Sequence, residues 1–349
     1  MSDFDVKKYI NKQITRLKSI NWAGNVRPKI SAFFSTILVF LSSWWQVLLL
    51  SLTAFICLYY PLGALWINNI DKNTDYEISI KNPEQSSTVE TAAFLINREI
   101  NDKMWTPNLP FFFPSYFLDN MPNFQMGIIK SISTLTSAMS NKLDSSIING
   151  EDEPHLKKAA KLLKYNGRIW MFSPENSFSP APSAHSQYRK ARKQLIKFNK
   201  SLNSGQQTFY RNPADLAYFL KKINKDLSLS LENIDTQVRE ERSEWTDFKA
   251  DDVFYYNQGK AYAYYLLLKA LGNDYKEILV QKNAYALWIK SIKALEDASK
   301  LDAVFIRNAE LNSLVAPNHL QYLAYDIIKA IAANKNIIEA LTYTEKNKE

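Results

Sequence analysis

Glycine is scarce, with 8 in 349 residues, and cysteine scarcer still, with one. Hairpin-rich and phosphate-cradling folds place glycine at positive-φ turns, so this poverty argues against both. Cys57 has no internal disulfide partner, and its position in the most apolar run marks it as a small hydrophobe. Only three histidines occur, His155, His185 and His319, and no two stand i, i+4 apart. A zinc site would need carboxylates brought in by the fold, so no metal is expected. Also absent are the Gly-x-x-x-x-Gly-Lys loop, the Gly-x-Gly-x-x-Gly turn, the His-Glu-x-x-His pair and the Gly-x-Ser-x-Gly elbow. No cofactor is implied, and the sequence leans away from an enzyme.

A second absence is of charge. No Asp, Glu, Lys or Arg stands between Lys29 and Asp71. Within that stretch Gln46 to Leu65 supplies about 30 Å of apolar helix, enough to cross a bilayer. Trp44 and Trp45 precede it, and Tyr59, Tyr60 and Trp66 close it, where interfacial aromatics belong. Pro61 marks a kink or the last turn. Ile30 to Trp45 is apolar but rich in serine, and reads as an interfacial helix or an extension of the same span; two full spans do not fit comfortably. Seven Lys or Arg precede the run (Lys7, Lys8, Lys12, Arg16, Lys18, Arg27, Lys29), whereas Asp71, Asp75, Glu77, Glu84 and Glu90 follow it. That asymmetry holds the N-terminus in the cytoplasm and sends the bulk of the chain across. A cleaved signal would have a shorter apolar core and a small-residue site, so a signal-anchor is expected.

What is abundant is aromatic and helix-forming: 19 tyrosines and 19 phenylalanines among many Leu, Ile, Ala and Lys. The expectation is an all-α chain, an N-terminal transmembrane helix followed by an extramembrane helical bundle. Its parts are a basic arm (1–29), an interfacial helix plus span (30–66, core 46–65), a linker (67–86), a helical domain (87–341) and a polar tail (342–349). Ser87-Thr88-Val89-Glu90 reads as a capping box, followed by Ala92, Leu95, Ile96, Ile100 and Met104 at helical spacing. Ile128, Ile129, Ile132, Leu135, Met139 and Leu143 give a helix over 127–148. A basic helix from His155 to Leu163, a Pro- and Ser-rich loop over 173–182 and a second basic helix ending near Gly205 come next. Asn212-Pro213 opens a long helix whose Leu216, Leu220, Ile223, Leu227, Leu231, Ile234 and Val238 form one stripe. An intramolecular core is the expected use of that stripe, with a homodimer seam as the alternative. Asp251 caps a Tyr-rich helix stopped by Gly272; 275–301 and 318–341 complete the bundle.

Three stretches resemble a family of bacterial inner-membrane proteins, domain of unknown function 2333. The first is Asp119-Asn120-Met121-Pro122-Asn123-Phe124 with Gly127. The second runs Asp251-Asp252-Val253-Phe254-Tyr255, then Gly259, Tyr262-Ala263, Leu267-Leu268, Asp274 and Lys282-Asn283-Ala284; the third is Asn318-His319. Tyr262 stands where the pattern has Trp, and Asn308-Ala309 where it has Asn-Gly. The resemblance implies an N-terminal anchor with a helical domain outside, in the periplasm, and supplies no activity.

Each candidate also has a structural use. Asp251-Asp252 suits an acid–base pair or a helix cap, and His319 a neutral base or a capping turn; capping is the expected role of both. Tyr255, Tyr256, Tyr262, Tyr264 and Tyr265 suit a groove or, more commonly, a core. Lys157 to Lys200 carries eleven Lys or Arg against Glu175 alone, with Tyr165, Trp170 and Tyr188 interleaved. Outside an inner membrane that block favours anionic lipid or other envelope components over nucleic acid. The proline-broken run over 109–122 cannot span a bilayer, and Phe111, Phe112, Phe113, Tyr116 and Phe117 are expected to fold back against the helices and close the bundle. The rival is an apolar surface patch. The expected function is a membrane-anchored scaffold or assembly factor of the bacterial cell envelope, with an anchored hydrolase or ligand sensor using carboxylates and tyrosines as the alternative.

Overall fold

The computed structural model describes residues 8, 11–16, 27–76, 82–143, 154–173, 179–206, 208–240, 248–302, 306, 308 and 318–343. The expected arm apart from 8, 11–16 and 27–29, the end of the 127–148 helix, the middle of the 173–182 loop, Ala309 and the last six residues of the tail lie outside them. Among the described residues the fold is all-α save a hairpin of two two-residue strands, and the chain divides into a unit of residues 1–63 and a unit of residues 64–349.

Helix α1 runs unbroken from Arg27 to Ile67 over 41 residues. Residues 30–45 and 46–65 therefore share one helix, which continues past Pro61. Its segment Trp44–Ile67, 24 residues long, is among the described residues the one helix long and apolar enough to cross a membrane.

The larger unit comprises α2 (Ser87–Asn97), α3 (Asn120–Leu143), α4 (His155–Leu163), a hairpin of β1 (Phe172–Ser173) and β2 (Ser179–Pro180), α5 (Ala184–Asn203), α6 (Pro213–Glu240), α7 (Phe248–Asp274), α8 (Lys276–Gln281), α9 (Tyr285–Lys300) and α10 (His319–Thr342). Helix α7 is the axis. Every residue from Asn257 to Leu268 is buried, so this helix has no solvent face and must be surrounded. Helices α2, α3, α6, α9 and α10 all pack on it, while α4 and α5 pair with each other and rest on α3 and α2. The tyrosine stripe fills the core: Tyr262 and Tyr264 have no exposed surface. The α6 stripe is spent inside the chain too, with Leu216, Leu220, Ile223 and Leu227 fully buried and α6 packed on α10.

Local chemistry opens several helices as expected. Asn212 Oδ1 accepts from the Asp215 N–H at 2.8 Å, ahead of Pro213, and Asn318 Oδ1 accepts from the Gln321 N–H at 3.1 Å. Elsewhere the structure differs. The cap of α2 is Ser86, one residue earlier than the capping box, because Asp274 accepts from the N–H groups of Ser87 and Thr88 at 2.7 and 3.1 Å. The helix then widens into a π turn over Arg98–Asp102, and Met104 leaves it with φ 67° and an exposed side chain. Helix α7 begins at Phe248, so Asp251 lies in its first turn rather than at its cap, and it runs through Gly272, whose missing side chain makes room for the Trp288 indole. Residues 275–301 are two helices, broken where Asn283 turns to φ 54°.

The expected linker is partly docked. Tyr262 donates to Asn73 O at 2.7 Å, Tyr265 to Thr74 O at 3.3 Å, and the Tyr76 ring packs tilted against Phe94, 4.9 Å between centroids. The aromatic run is the largest correction. Phe111, Phe112 and Tyr116 are 68%, 46% and 53% exposed, so they do not plug the bundle; Trp105, Thr106 and Asn108, just before them, are the buried residues. The prolines explain this, since Pro107, Pro110 and Pro114 leave only short turns, which cannot bury a continuous face.

Candidate functional site

The first two motif stretches meet, where the start of α3 lies along α7. Gly127 and Gly259 allow the contact: a β-carbon on Gly127 would stand 2.1 Å from Tyr256 O, and one on Gly259 2.1 Å from Phe124 O. Met121, Phe124 and Phe254 are buried beside this crossing, and the Phe124 ring lies 5.7 Å from that of Tyr262. Pro122 sits in the first turn of α3, where its lost N–H costs nothing.

At the solvent end of the crossing, carboxylates gather. Asn123 Nδ2 donates to Asp252 Oδ1 at 2.5 Å and to Asp119 O at 3.0 Å, bridging the two helices. Asp119 Oδ1 accepts from the Asn120 N–H at 2.9 Å. Burial, then repulsion from Asp119, raises the Asp252 carboxyl, against the pull of Arg168 and the bond from Asn123. Burial also lifts the half-buried Tyr255, helped by Asp251, Asp302 and Asp119. The arrangement makes Asp252 a weaker acid than an exposed aspartate. Among the described residues no three His, Cys, Asp or Glu side chains lie close enough to share an ion.

The remaining motif residues stand at turns. Asn283 takes the left-handed conformation between α8 and α9, which Asn tolerates better than most residues. Asn318 caps α10 and donates to Asn308 Oδ1 at 3.1 Å, while Asn308 donates to Gln237 O at 2.9 Å, tying the approach to α10 onto α6. His319 is the half-buried first residue of α10.

Two buried polar networks were not legible in spacing. Arg98 and Glu99, each 3% exposed, pair with each other; Arg98 Nη1 also donates to Tyr262 Oη at 2.5 Å. Gln125 donates to Glu99 Oε2 at 3.2 Å and accepts from Thr106 N at 3.0 Å. Tyr262 uses its hydroxyl both ways, accepting from Arg98 and donating to Asn73. Burial lowers Lys260, against the attraction of Asp226, to which its Nζ is paired at 3.0 Å. Lys260 also donates to Ser230 Oγ at 2.7 Å, and Tyr264 donates to Asp226 Oδ2 at 2.7 Å. The one available signal was a lysine inside a run that is otherwise apolar or small.

A cavity of about 510 Å³ opens elsewhere, among Pro83, Ser87, Arg211, Asp274, Tyr275 and Lys276. Its strongest polar groups are engaged: Asp274 holds the start of α2, and Arg211 Nη2 lies 3.3 Å from both Pro83 O and Gln85 O.

A family model described as "Uncharacterized protein conserved in bacteria (DUF2333)" matches residues 41–244 and 228–342. No curated protein and no solved structure matches the chain.

Proposed function

The chain belongs to this bacterial family, and from that premise we propose that it is a membrane-anchored scaffold or assembly factor of the cell envelope. In this reading α1 crosses the inner membrane once, the basic arm stays in the cytoplasm and the helical domain stands in the periplasm. The observation that carries it is the uncharged segment Trp44–Ile67 ahead of a separately cored helical unit. A binding role is favoured over catalysis because the charged groups of the core, Arg98 with Glu99 and Lys260 with Asp226, are paired with each other and bonded to Tyr262 and Tyr264, and so hold helices together. The hydrolase or sensor alternative loses support where Tyr262, Tyr264 and Tyr265 are core residues and Asp252 is bound by Asn123.

In-cell crosslinking tests the proposal. Photo-crosslinkers at exposed domain positions should capture the same neighbours in proportion to the bait. Absence of any recurrent neighbour across growth conditions would reject a scaffold role.

A further inference from the structure

The exposed aromatic run is fixed at its base to the segment after α4. Trp105 Nε1 donates to Gly167 O at 2.9 Å, and Asn108 Nδ2 to Ile169 O at 2.8 Å, with both side chains buried. Beyond these anchors, large apolar side chains meet water: Phe111, Phe112 and Tyr116 from the run, and Met171 and Phe172, each 49% exposed, from the segment it is bound to. Phe112 links them, its ring 5.4 Å from Phe111 and 5.8 Å from Trp170. Together they make one patch rather than scattered residues.

Charge of one sign adjoins the patch. Among the described residues from 154 to 206 there is no Asp or Glu, while all eleven lysines and arginines of the block are present. Arg168 lies between the two carbonyls that anchor the aromatic run, and Lys164 ends α4. The carboxylates at its borders are few: Asp119 and Asp252 are half-buried at the α3–α7 crossing, Glu90 Oε2 accepts from Asn199 Nδ2 on α5 at 3.1 Å, and Asp102 is exposed beside Asn101, which accepts from Arg189.

An uncharged apolar protein contact accounts for the phenylalanines but not for the excess of lysine and arginine beside them. A polyanion in solution accounts for the charge but not for the phenylalanines. An anionic bilayer surface takes both, with aromatic rings at the headgroup boundary and lysines toward phosphates. We propose that the aromatic patch and the α4–α5 pair form a docking face for anionic phospholipid, a membrane contact additional to α1. The inference rests on the anchor only in that a tether to a span keeps the face near a bilayer at high effective concentration.

The test uses the full chain reconstituted in phosphatidylcholine vesicles, with and without about 30% phosphatidylglycerol to give an anionic surface, and a fluorophore quenched by brominated lipid. A label on native Cys57 reports the anchor. In a Cys57→Ser background, labels at Phe111→Cys and Met171→Cys report docking, and Tyr322→Cys, on α10, is the control. Labels at 111 and 171 should be quenched in anionic vesicles and not in neutral ones, and the control in neither. Changing Lys157, Lys161 and Lys164 together to Glu should cut quenching at 171 about tenfold, with unchanged circular dichroism. Quenching at Cys57 with none at 111 and 171 in anionic vesicles overturns the inference and leaves the anchor standing. Quenching at 111 and 171 without Cys57 supports the docking face and removes the anchor. Equal quenching at 322, or burial of the 111 label in detergent alone as concentration rises, assigns the patch to non-specific adsorption or to a second copy and overturns it.

Discussion

Gly127 and Gly259 stand where α3 and α7 meet backbone against backbone: the space a side chain on Gly127 would need is filled by Tyr256 O, and that on Gly259 by Phe124 O. A β-carbon at either position would collide with a main-chain oxygen 2.1 Å away, and main chain in two long helices cannot step aside. Gly127→Ala or Gly259→Ala should therefore destabilise the domain by about 1–3 kcal/mol or more through overpacking, read as a lowered denaturant midpoint. Wild-type stability in both variants would mean that the helices are not in contact there.

Asp274 ends the central helix and starts α2. Its carboxylate accepts from Ser86 Oγ at 2.7 Å, the Ser87 N–H at 2.7 Å and Thr88 Oγ1 at 2.7 Å, all buried. Asp274→Ala strands these donors and should cost about 2–3 kcal/mol, with amide exchange speeding up first at the start of α2. Loss confined to α8 would contradict the assignment.

Lys260 and Asp226 are 3% and 6% exposed at their side chains. Lys260→Met leaves a buried carboxylate with only the Tyr264 hydroxyl, for a loss of about 3–5 kcal/mol. Removing both charges, Lys260→Met with Asp226→Leu, should recover most of it. A double-mutant cycle in denaturant measures the coupling; additive losses would show that the pair does not act as a unit.

The buried tyrosines make the fold sensitive to alkali. Burial pushes Tyr256 up to about 12, and lifts Tyr188, Tyr262, Tyr264 and Tyr275 above their ordinary value as well. In the unfolded chain each releases its proton near pH 10, whereas the folded chain keeps it. Folded protein thus holds more protons above about pH 10, and stability falls as pH rises from there. Lys260, lowered by burial, acts in the opposite sense, but it is one group against five. Helix loss and tyrosinate absorbance should rise together between about pH 10 and pH 12. Full tyrosine ionisation near pH 10 with the helices intact would show that these residues are exposed.

Features written in local chemistry were legible from sequence. The asparagine caps before Pro213 and His319, the uncharged run and the tyrosine stripe as core all follow from neighbours three or four residues away. Contacts between distant residues were not. Asp274 moves the cap of α2 to Ser86 from 188 residues further along, and Trp288 lets the helix continue through Gly272. Arg98 with Tyr262 and Lys260 with Asp226 leave no periodic trace. The aromatic run misled because its composition suggests burial, while its prolines remove the regular backbone that burial needs. At the candidate site, the meeting of Asp119, Asn123 and Asp252 depends on the glycine crossing, and spacing alone does not reveal which helices cross.

The account depends most on α1 crossing the membrane once, with the helical domain beyond it. An enzyme that is active only after export, fused behind Glu349 of the full chain, should be active, and the fusion should stay with the membrane through alkaline carbonate extraction. Activity confined to a cytoplasmic reporter at the same position, or release of the chain by carbonate, would contradict it.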